Sequence, residues 1–570
     1  MSRMKTEFDV AIVGGGPAGS TCATLLKRYA PSLEVAVFEG EKFPRDHVGE
    51  SMLPPSSPIL DEMGVWDKIE AAGFPIKVGA TYRWGRKKEL WDVEFLPASQ
   101  FRNEPRPAKY QGQRRLTSFQ VDRSIYDQIL LDHAESLGVE VFQETKVAHV
   151  VCEQDRVDRL QLQDGQQVRA RHYVDASGNS GILRRALDIP CHFPASLKNI
   201  AIYDYWQNAE WAIKIGVGGT RIQVLSLGYG WIWFIPIGPT RSSIGLVVPA
   251  EYYKKSGKRP EDLYRQALAE ESIVSGLIKN ATCEQRLVAT RDWSFIADRQ
   301  IGPNWVLVGE AAGFADPILS AGVCMAHIGA RQAAYTILEL DRGQLDPTWL
   351  RGQYERRQKQ RIDTHIRFGD FWYSSNEQFK ELQEFTSQLA KDIGLEMSPA
   401  KAWQWIATGG FINEDLNIGS GGFSLGLVRD SGEYLGEKAF ESPLELNNVF
   451  TLNVEGAVRQ DIAVYDLGKI AKAPCLCRGE RVLPITGEVE IVIRLLRRSN
   501  NIAGIVGGLN AYIERNAKSP HIGKVVNNTV PTLEAMIHDG WVTASYDPKL
   551  GLAKIAKGAG LKWNDDQVVP

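Results

Sequence analysis

The apolar run Val10-Ala11-Ile12-Val13 breaks off at Gly14-Gly15-Gly16, after which the hydrophobic spacing lengthens and Ser20–Arg28 reads as a helix. A second run, Glu34–Phe38, closes on Glu39, so the chain opens on a strand–turn–helix–strand unit. Pro58–Met63 is a short helix stopped by Gly64. Farther on, Ile76, Val78 and Ala80 alternate with Lys77, Gly79 and Thr81, which predicts a strand with Lys77 opposite Ile76 and Val78. Periodicity does not say whether the lysine face meets solvent or a cavity. A short strand at Ser118 leads into a helix from about Arg123 to Leu137, with Gly138 as its stop and Val139–Phe142 as the next strand. Gln163-Asp164-Gly165 marks a hairpin turn, and Tyr173–Gly178 ends a buried strand on small residues. A β-rich stretch rich in aromatic and β-branched residues covers about 197–250 and suggests the floor of a substrate domain. Trp305–Val308 delivers Gly309 and Glu310 to a loop, and Gly322 opens a long helix over 323–340. The charged segment 351–368, with Arg356, Arg357, Lys359 and Arg361, reads as a solvated helix face.

At 570 residues the chain exceeds one core and predicts two or three domains. The expected division is a core over 1–370, with a mixed substrate sheet at about 72–120 and 190–295, a connecting helical and loop region over 371–440, and an appendage over 441–570 that looks like a winged helix. A net charge of -3 with 24% charged residues gives no electrostatic footprint for nucleic acid, and the appendage lacks a dense basic recognition helix, so a structural or protein-contact role is favoured there. No apolar run reaches the roughly 18–20 residues that span a bilayer, and the N-terminus enters its first strand without a signal-peptide pattern, which predicts a cytoplasmic protein that makes no membrane contact. The 7 cysteines are scattered apart from Cys475 and Cys477, which no second pair or histidine completes, so no metal site is expected.

The glycines carry the first chemistry. Gly14 permits a tight turn, Gly16 lets backbone amides approach a pyrophosphate, and Gly19 lets helix and strand pack, while Pro17 and Ala18 open the helix whose N-terminus faces the phosphates. Glu39 is placed to accept hydrogen bonds from an adenosine ribose. With the Asp175–Gly178 turn and Gly309–Gly313, three separated segments surround one long ligand, which favours FAD over a nicotinamide. No second glycine motif follows another strand. Reduced flavin therefore has to come from a separate reductase, or a nicotinamide must bind transiently.

Several motifs make residues 8–365 resemble the flavin-dependent halogenases, within the flavin monooxygenases related to p-hydroxybenzoate hydroxylase. Trp231-x-Trp233-x-Ile235-Pro236 matches the W-x-W-x-I-P signature of halogenases. Pro44-Arg45 with Val48-Gly49-Glu50-Ser51, and Lys77 ahead of Gly79-Ala80 and Trp84-Gly85, match the segment around the family's essential lysine; Asp316-Pro317-x-x-Ser320-x-Gly322-Val323 matches the loop beside the isoalloxazine where halide sits. The fold implied is α/β, a Rossmann-like FAD-binding fold of the p-hydroxybenzoate hydroxylase type with a mixed β-sheet substrate domain. The resemblance adds Gln120, Asp316 and Pro317 to the flavin contacts. Reduced FAD and O2 then oxidise chloride or bromide to hypohalous acid. The amides of Ala321 and Gly322 suit the halide, Lys77 aims the electrophile, and Glu50 either sets the protonation of Lys77 or takes a substrate proton. Trp231 and Trp233 keep substrate off the flavin in the family, core aromatics being the plainer reading.

Two details refine the resemblance and one departs from it. Tryptophan-acting members carry glutamate where this chain has Leu319, which disfavours an indole and points to phenols, pyrroles or acyl groups, often tethered to a carrier protein. Arg291-Asp292-Trp293-Ser294-Phe295 resembles the D-W-S-Y stretch of members from chloramphenicol biosynthesis, whose aspartate is esterified to the flavin 8α-methyl; Asp292 is thus a candidate covalent anchor, a structural aspartate being the alternative. Glu310 stands where the family has aspartate. A hydroxylating flavin monooxygenase and a flavin reductase of the geranylgeranyl-reductase type remain open, and the latter would not need Lys77.

Overall fold

A computed structural model of the chain describes residues 5–85, 88–194, 198–291, 294–374, 376, 442–479, 481–518, 522–538, 540–552, 554–556 and 560–562. The chain divides into two compact units, residues 1–395 with 465–470, and residues 396–464 with 471–570.

The first unit opens as the hydrophobic pattern requires: β1 (Glu7–Val13), α1 (Pro17–Tyr29) and β2 (Val35–Phe38), with both strands almost wholly buried. Then come α2 (Ser56–Met63), closed by Gly64 in the left-handed region, α3 (Trp66–Ala71), β3 (Ile76–Arg83), β4 (Trp91–Glu94), β5 (Ser118–Phe119) and α4 (Arg123–Ser136). Asp122 caps α4 by accepting from the Ser124 amide at 3.0 Å. β6 (Glu140–Phe142), β7 (Val147–Glu153), β8 (Arg156–Leu162) and β9 (Gln167–Asp175) follow. They complete a sheet ordered β6-β2-β1-β9-β8-β7, in which the strand Trp305–Leu307 also pairs with the C-terminal end of β9. β6, β2, β1, β9 and Trp305–Leu307 pair in parallel, so their C-terminal ends, where the glycine loop, Glu39 and Asp175 stand, share one edge.

A second sheet contains β3, β4 and β5 together with the strands Asn199–Gln207, Gly219–Ser226, Trp231–Pro236, Arg241–Pro249, Thr282–Cys283 and Val288–Arg291. β3 joins Gly219–Ser226 in parallel, which brings the Lys77 strand beside the tryptophan-motif strand's neighbour. One face is covered by the helices Ala250–Ser256, Pro260–Glu270 and Ser272–Leu277 through Ile232, Phe234, Leu246, Leu263 and Tyr264. The helix Gly322–Arg342 crosses the unit and packs on α1, where buried His327 faces Thr21 Oγ1 through Nδ1 and Tyr126 Oη through Nε2, each at 2.7 Å. Burial holds this imidazole down to about 3, so it is a neutral peg joining three helices.

The helix Pro347–Ser374 corrects one expectation. Arg356 is exposed, but Arg357 is buried and Arg361 partly so, because this helix packs along Gly322–Arg342; 351–368 is therefore not wholly a solvated face. Among the described residues of the second unit, the strand Val449–Leu452 pairs with Val542–Ser545. The helices Gly487–Arg498, Ile502–Arg515 and Ile522–His538 bury Val489, Leu495, Leu509 and Met536 with Phe450 and Trp541. Cys475 and Cys477 are buried with Ile462 and Ala473, and no group of metal-ligating side chains occurs among the described residues. No helix among them is long and apolar enough to cross a membrane.

Candidate active site

Two cavities meet at the edge of the parallel sheet. The first, about 430 Å³, is lined by Gly14, Gly16, Pro17, Ala18, Glu39, Gly178, Gly309 and Glu310. Gly14 has φ +104°, and a side chain there would collide with the Ala176 carbonyl; one at Gly19 would collide with the Gly14 carbonyl. The turn thus lies flat between β1 and β9, and the first amides of α1 open onto the cleft. Glu39 accepts from the Gly15 amide at 2.7 Å and from the Glu41 amide at 2.9 Å, so it pins the glycine loop while each oxygen keeps a free lone pair.

Asp175 does something other than touch the cleft. Its carboxylate accepts from the Ser177 amide (3.1 Å) and hydroxyl (2.6 Å) and from the amides of Leu183 (2.8 Å) and Arg184 (3.1 Å). Fully buried and satisfied, it shapes the turn that presents Gly178, and it is not on the cavity wall. Sequence reasoning gave no cofactor role to the cations of this cleft, Arg45, Arg123 and Lys146. Arg123 grips Asp127 with Nε at 2.6 Å and Nη2 at 2.8 Å, and donates through Nη1 to the carbonyls of Val48 (3.0 Å) and Gly49 (3.2 Å). A signal for it existed: arginine in the first turn of a helix opposes the macrodipole and implies a tertiary partner.

The second cavity, about 480 Å³, shares His47, Arg123, Glu310, Gly322 and Val323 with the first. One wall is the tryptophan strand, with Trp231, Trp233 and Ile235; Pro236 ends that strand opposite Ser242 and is not on the wall. Trp233 donates to Ser243 Oγ at 3.1 Å and lies against Gly245, where a side chain would collide with the indole. The floor is the Pro317–Gly322 loop, in which Ser320 takes φ +54° and Ala321 caps the long helix whose unpaired amides begin at Gly322. Pro317, Ala321 and Gly322 line the cavity, whereas Asp316 lies behind it. Its Oδ1 accepts from the Ile318 amide (2.9 Å) and from the Tyr373 hydroxyl (3.0 Å), and its Oδ2 from Asn199 Nδ2 (3.3 Å).

Glu50 lines the second cavity but is itself 2% exposed. It accepts from the Tyr205 hydroxyl and from the Gly49 amide, both at 3.1 Å, and burial pushes its carboxyl up to about 7 against those donors. Burial likewise raises the Glu310 carboxyl, with Arg123 opposing. Lys77, 1% exposed, lies on neither cavity wall. Its Nζ stands 5.5 Å from the Phe95 ring centroid, makes no hydrogen bond or ion pair among the described residues, and is pushed down by burial to about 7. The face that periodicity left open is therefore buried. Glu50 is not among the groups that shift Lys77, so burial, not a carboxylate, tunes the lysine.

Gln120 is buried, lies on neither wall, and pairs by a backbone bridge with Ser51. Its side-chain carboxamide and the Ser51 hydroxyl find no hydrogen-bond partner among the described residues. Asp292 and the side chain of Leu319 lie outside the described residues.

The tryptophan halogenase family profile matches residues 9–103 and 96–382. The chain belongs to the tryptophan halogenase family. A tryptophan 2-halogenase of Chondromyces crocatus is 32% identical over 362 residues, 62% of this chain and 65% of that protein, so the match spans a little under two thirds of its length. A 1H-pyrrole-2-carbonyl-[peptidyl-carrier protein] chlorinase of Pseudomonas fluorescens is 34% identical over 351 residues, 58% of this chain and 76% of its own. Among solved structures, the myxobacterial chondrochloren halogenase CndH superposes with TM-score 0.59 at 27% identity over 68% of this family member and 90% of that chain. The flavin-dependent halogenase CmlS gives TM-score 0.71 at 23% identity over 97% and 98%, a likeness of fold.

The family's flavin fits what the two cavities offer. The cleft has a cradle that a β-carbon would fill at Gly14, helix-N-terminal amides and two arginines for a diphosphate, and Glu39 at one end. It continues past Glu310 into a chamber with apolar walls broad enough for a ring system.

Proposed function

We propose that this chain is an FADH2-dependent halogenase in specialised-metabolite biosynthesis that uses O2 to convert chloride or bromide to hypohalous acid and delivers it by way of Lys77. In this reading Gly14, Gly16, Pro17, Ala18, Gly19 and Glu39 hold the adenylate and diphosphate, Gly178, Gly309 and Glu310 the linking chain, and Pro317 the ring. Bound and reduced, FAD supplies with dioxygen the oxidant for the halide. Ala321 and Gly322 present amides at a helix N-terminus to the anion. Trp231 and Trp233 wall the ring chamber, which excludes a bulky substrate from the oxidant's source.

The observation that carries the reading is the separation of Lys77 from that chamber. A buried amine held near 7 is partly neutral at working pH, and a neutral amine can take up or hydrogen-bond a small electrophile that leaves the flavin. A hydroxylase acting on a substrate at the flavin needs neither the tryptophan wall nor this lysine. Glu50, with its proton in play near neutral pH, serves as proton acceptor at the cavity edge. The acceptor class proposed is a phenol, pyrrole or activated acyl group, free or on a carrier protein. The pyrrolyl-carrier chlorinase relative and Leu319 support it, and a separate flavin reductase supplies the reduced cofactor.

The test is incubation with FAD, a flavin reductase, O2 and chloride or bromide, offering a phenol panel, a pyrrole-2-carbonyl carrier protein and tryptophan. Mass spectrometry reads the products. Isotope-patterned chloro or bromo products on the first two acceptors are expected; hydroxylated product without halogen would replace this reading by the monooxygenase one, and halogenated tryptophan alone would overturn the acceptor class.

A further inference from the structure

The indole N–H of Trp231 donates to the Tyr373 hydroxyl oxygen at 2.9 Å, and that hydroxyl donates to Asp316 Oδ1 at 3.0 Å. The same Oδ1 accepts from the Ile318 amide at 2.9 Å, inside the loop that ends at Ala321 and Gly322. Asn199, at the start of its strand, holds the other carboxylate oxygen at 3.3 Å. Trp231 is 2%, Tyr373 7%, Asp316 2% and Asn199 4% exposed, so the chain of bonds is screened from water. Its direction is fixed: indole nitrogen can only donate, and burial together with the Asp316 carboxylate holds the Tyr373 hydroxyl well above its usual value, protonated. Three separate pieces of the first unit, the tryptophan strand, the end of the Pro347–Ser374 helix and the cavity floor, are tied together through one tyrosine oxygen.

From this connection we infer that Tyr373 is a positioning residue for the anion-binding floor, and that Trp231 acts on the halide site through its N–H as well as walling the chamber with its ring. The inference rests on the halogenase reading for the identity of the anion. Ser320 at φ +54° is an uncommon conformation for a non-glycine residue, and the bonds to Asp316 brace the loop that holds it and leads into Ala321 and Gly322. Removing one bond of the chain should loosen the floor without removing any group that touches the flavin's adenylate or diphosphate.

The experiment uses the full chain loaded with FAD and the variants Tyr373→Phe and Trp231→Phe, each of which deletes one hydrogen-bonding group and keeps a ring. Trp84→Phe is the control, since Trp84 packs on Trp231 at 6.2 Å between centroids but donates to the Trp372 carbonyl instead. Bromide and iodide titrations follow bound-flavin fluorescence, and the halide KM and kcat of product formation are measured beside them. Both test variants are expected to weaken halide binding and raise halide KM about 5–10-fold, the scale of one hydrogen bond, with kcat of Tyr373→Phe at saturating halide within about 2-fold. The double variant should be no worse than either single one. FAD affinity should match that of the parent. Unchanged halide dependence in Tyr373→Phe, or an equal shift in Trp84→Phe, overturns the inference. If the parent makes no halogenated product, the halogenase reading fails by itself, and the fluorescence titrations still decide whether Tyr373 shapes an anion site.

Discussion

The two halves of the site are built from different materials. Around the glycine loop the working parts are main-chain amides, and side chains matter chiefly by being absent, as at Gly14 and Gly19, or by bracing the turn, as Glu39 and Asp175 do. Around the second sheet the parts proposed to work are buried side chains, Glu50, Lys77, Trp231 and Trp233, whose properties come from what surrounds them. A backbone site depends on shape and tolerates little change at few positions. A side-chain site depends on desolvation and long-range hydrogen bonds, so its chemistry can be tuned while the fold stays the same.

That contrast predicts unequal damage. Gly14→Ala should be the most severe, because the new methyl meets the Ala176 carbonyl and the residue must keep φ +104°. A loss of about 3 kcal/mol or more of stability, with FAD no longer retained on gel filtration, is expected; retention of FAD would show that the cleft is less rigid than its backbone implies. Gly245→Ala pushes the Trp233 indole toward the chamber. It should lower kcat/KM about 10-fold for large acceptors or weaken the ring's binding while leaving the adenylate end intact, which titration with FAD against ADP would separate.

Glu50→Gln should remove a limb of the kcat–pH profile near pH 7. The Glu50 carboxyl is raised from 4.5 to about 7 in the fold, so the native protein holds a proton between those values that the unfolded chain has lost. That stability is present below pH 4.5 and is lost as pH rises through about 7, a dependence the glutamine variant should lack. The smallest change in stability is expected for Lys77→Met, whatever it does to delivery of the electrophile. The folded amine gives up its proton near 7 while the unfolded one keeps it to about 10.5, so the unfolded state binds more protons in that window and the parent gains stability as pH rises through it. The variant's melting temperature should exceed the parent's by about 3 °C or more at pH 7 and converge on it toward pH 10.5.

How much of this was legible in the sequence follows the same division. The glycine turn, the β1-α1-β2 unit and the second sheet could be read directly, because left-handed turns and close approaches select glycine, and strands advertise their period. Lys77 could be placed on a strand, but not in the buried interior, since its neighbours Phe95 and Cys324 come from elsewhere in the chain. Asp175 looked like a ligand contact because it sits at a strand end beside small residues; its four donors come from the turn and helix that follow. Tyr205, Tyr373 and Asn199 gave no signal, since each acts through partners 57 to 155 residues away.

The separation of oxidant source from Lys77 is tested most directly by following two products of Lys77→Ala together. With reduced FAD, O2 and bromide supplied, free hypobromous acid is trapped with monochlorodimedone while bromination of the preferred acceptor is measured in parallel. Trapping at close to the parent's rate with directed bromination down at least about 100-fold is the expected outcome. Directed bromination at the parent's rate, or loss of both products with FAD still bound, would contradict it.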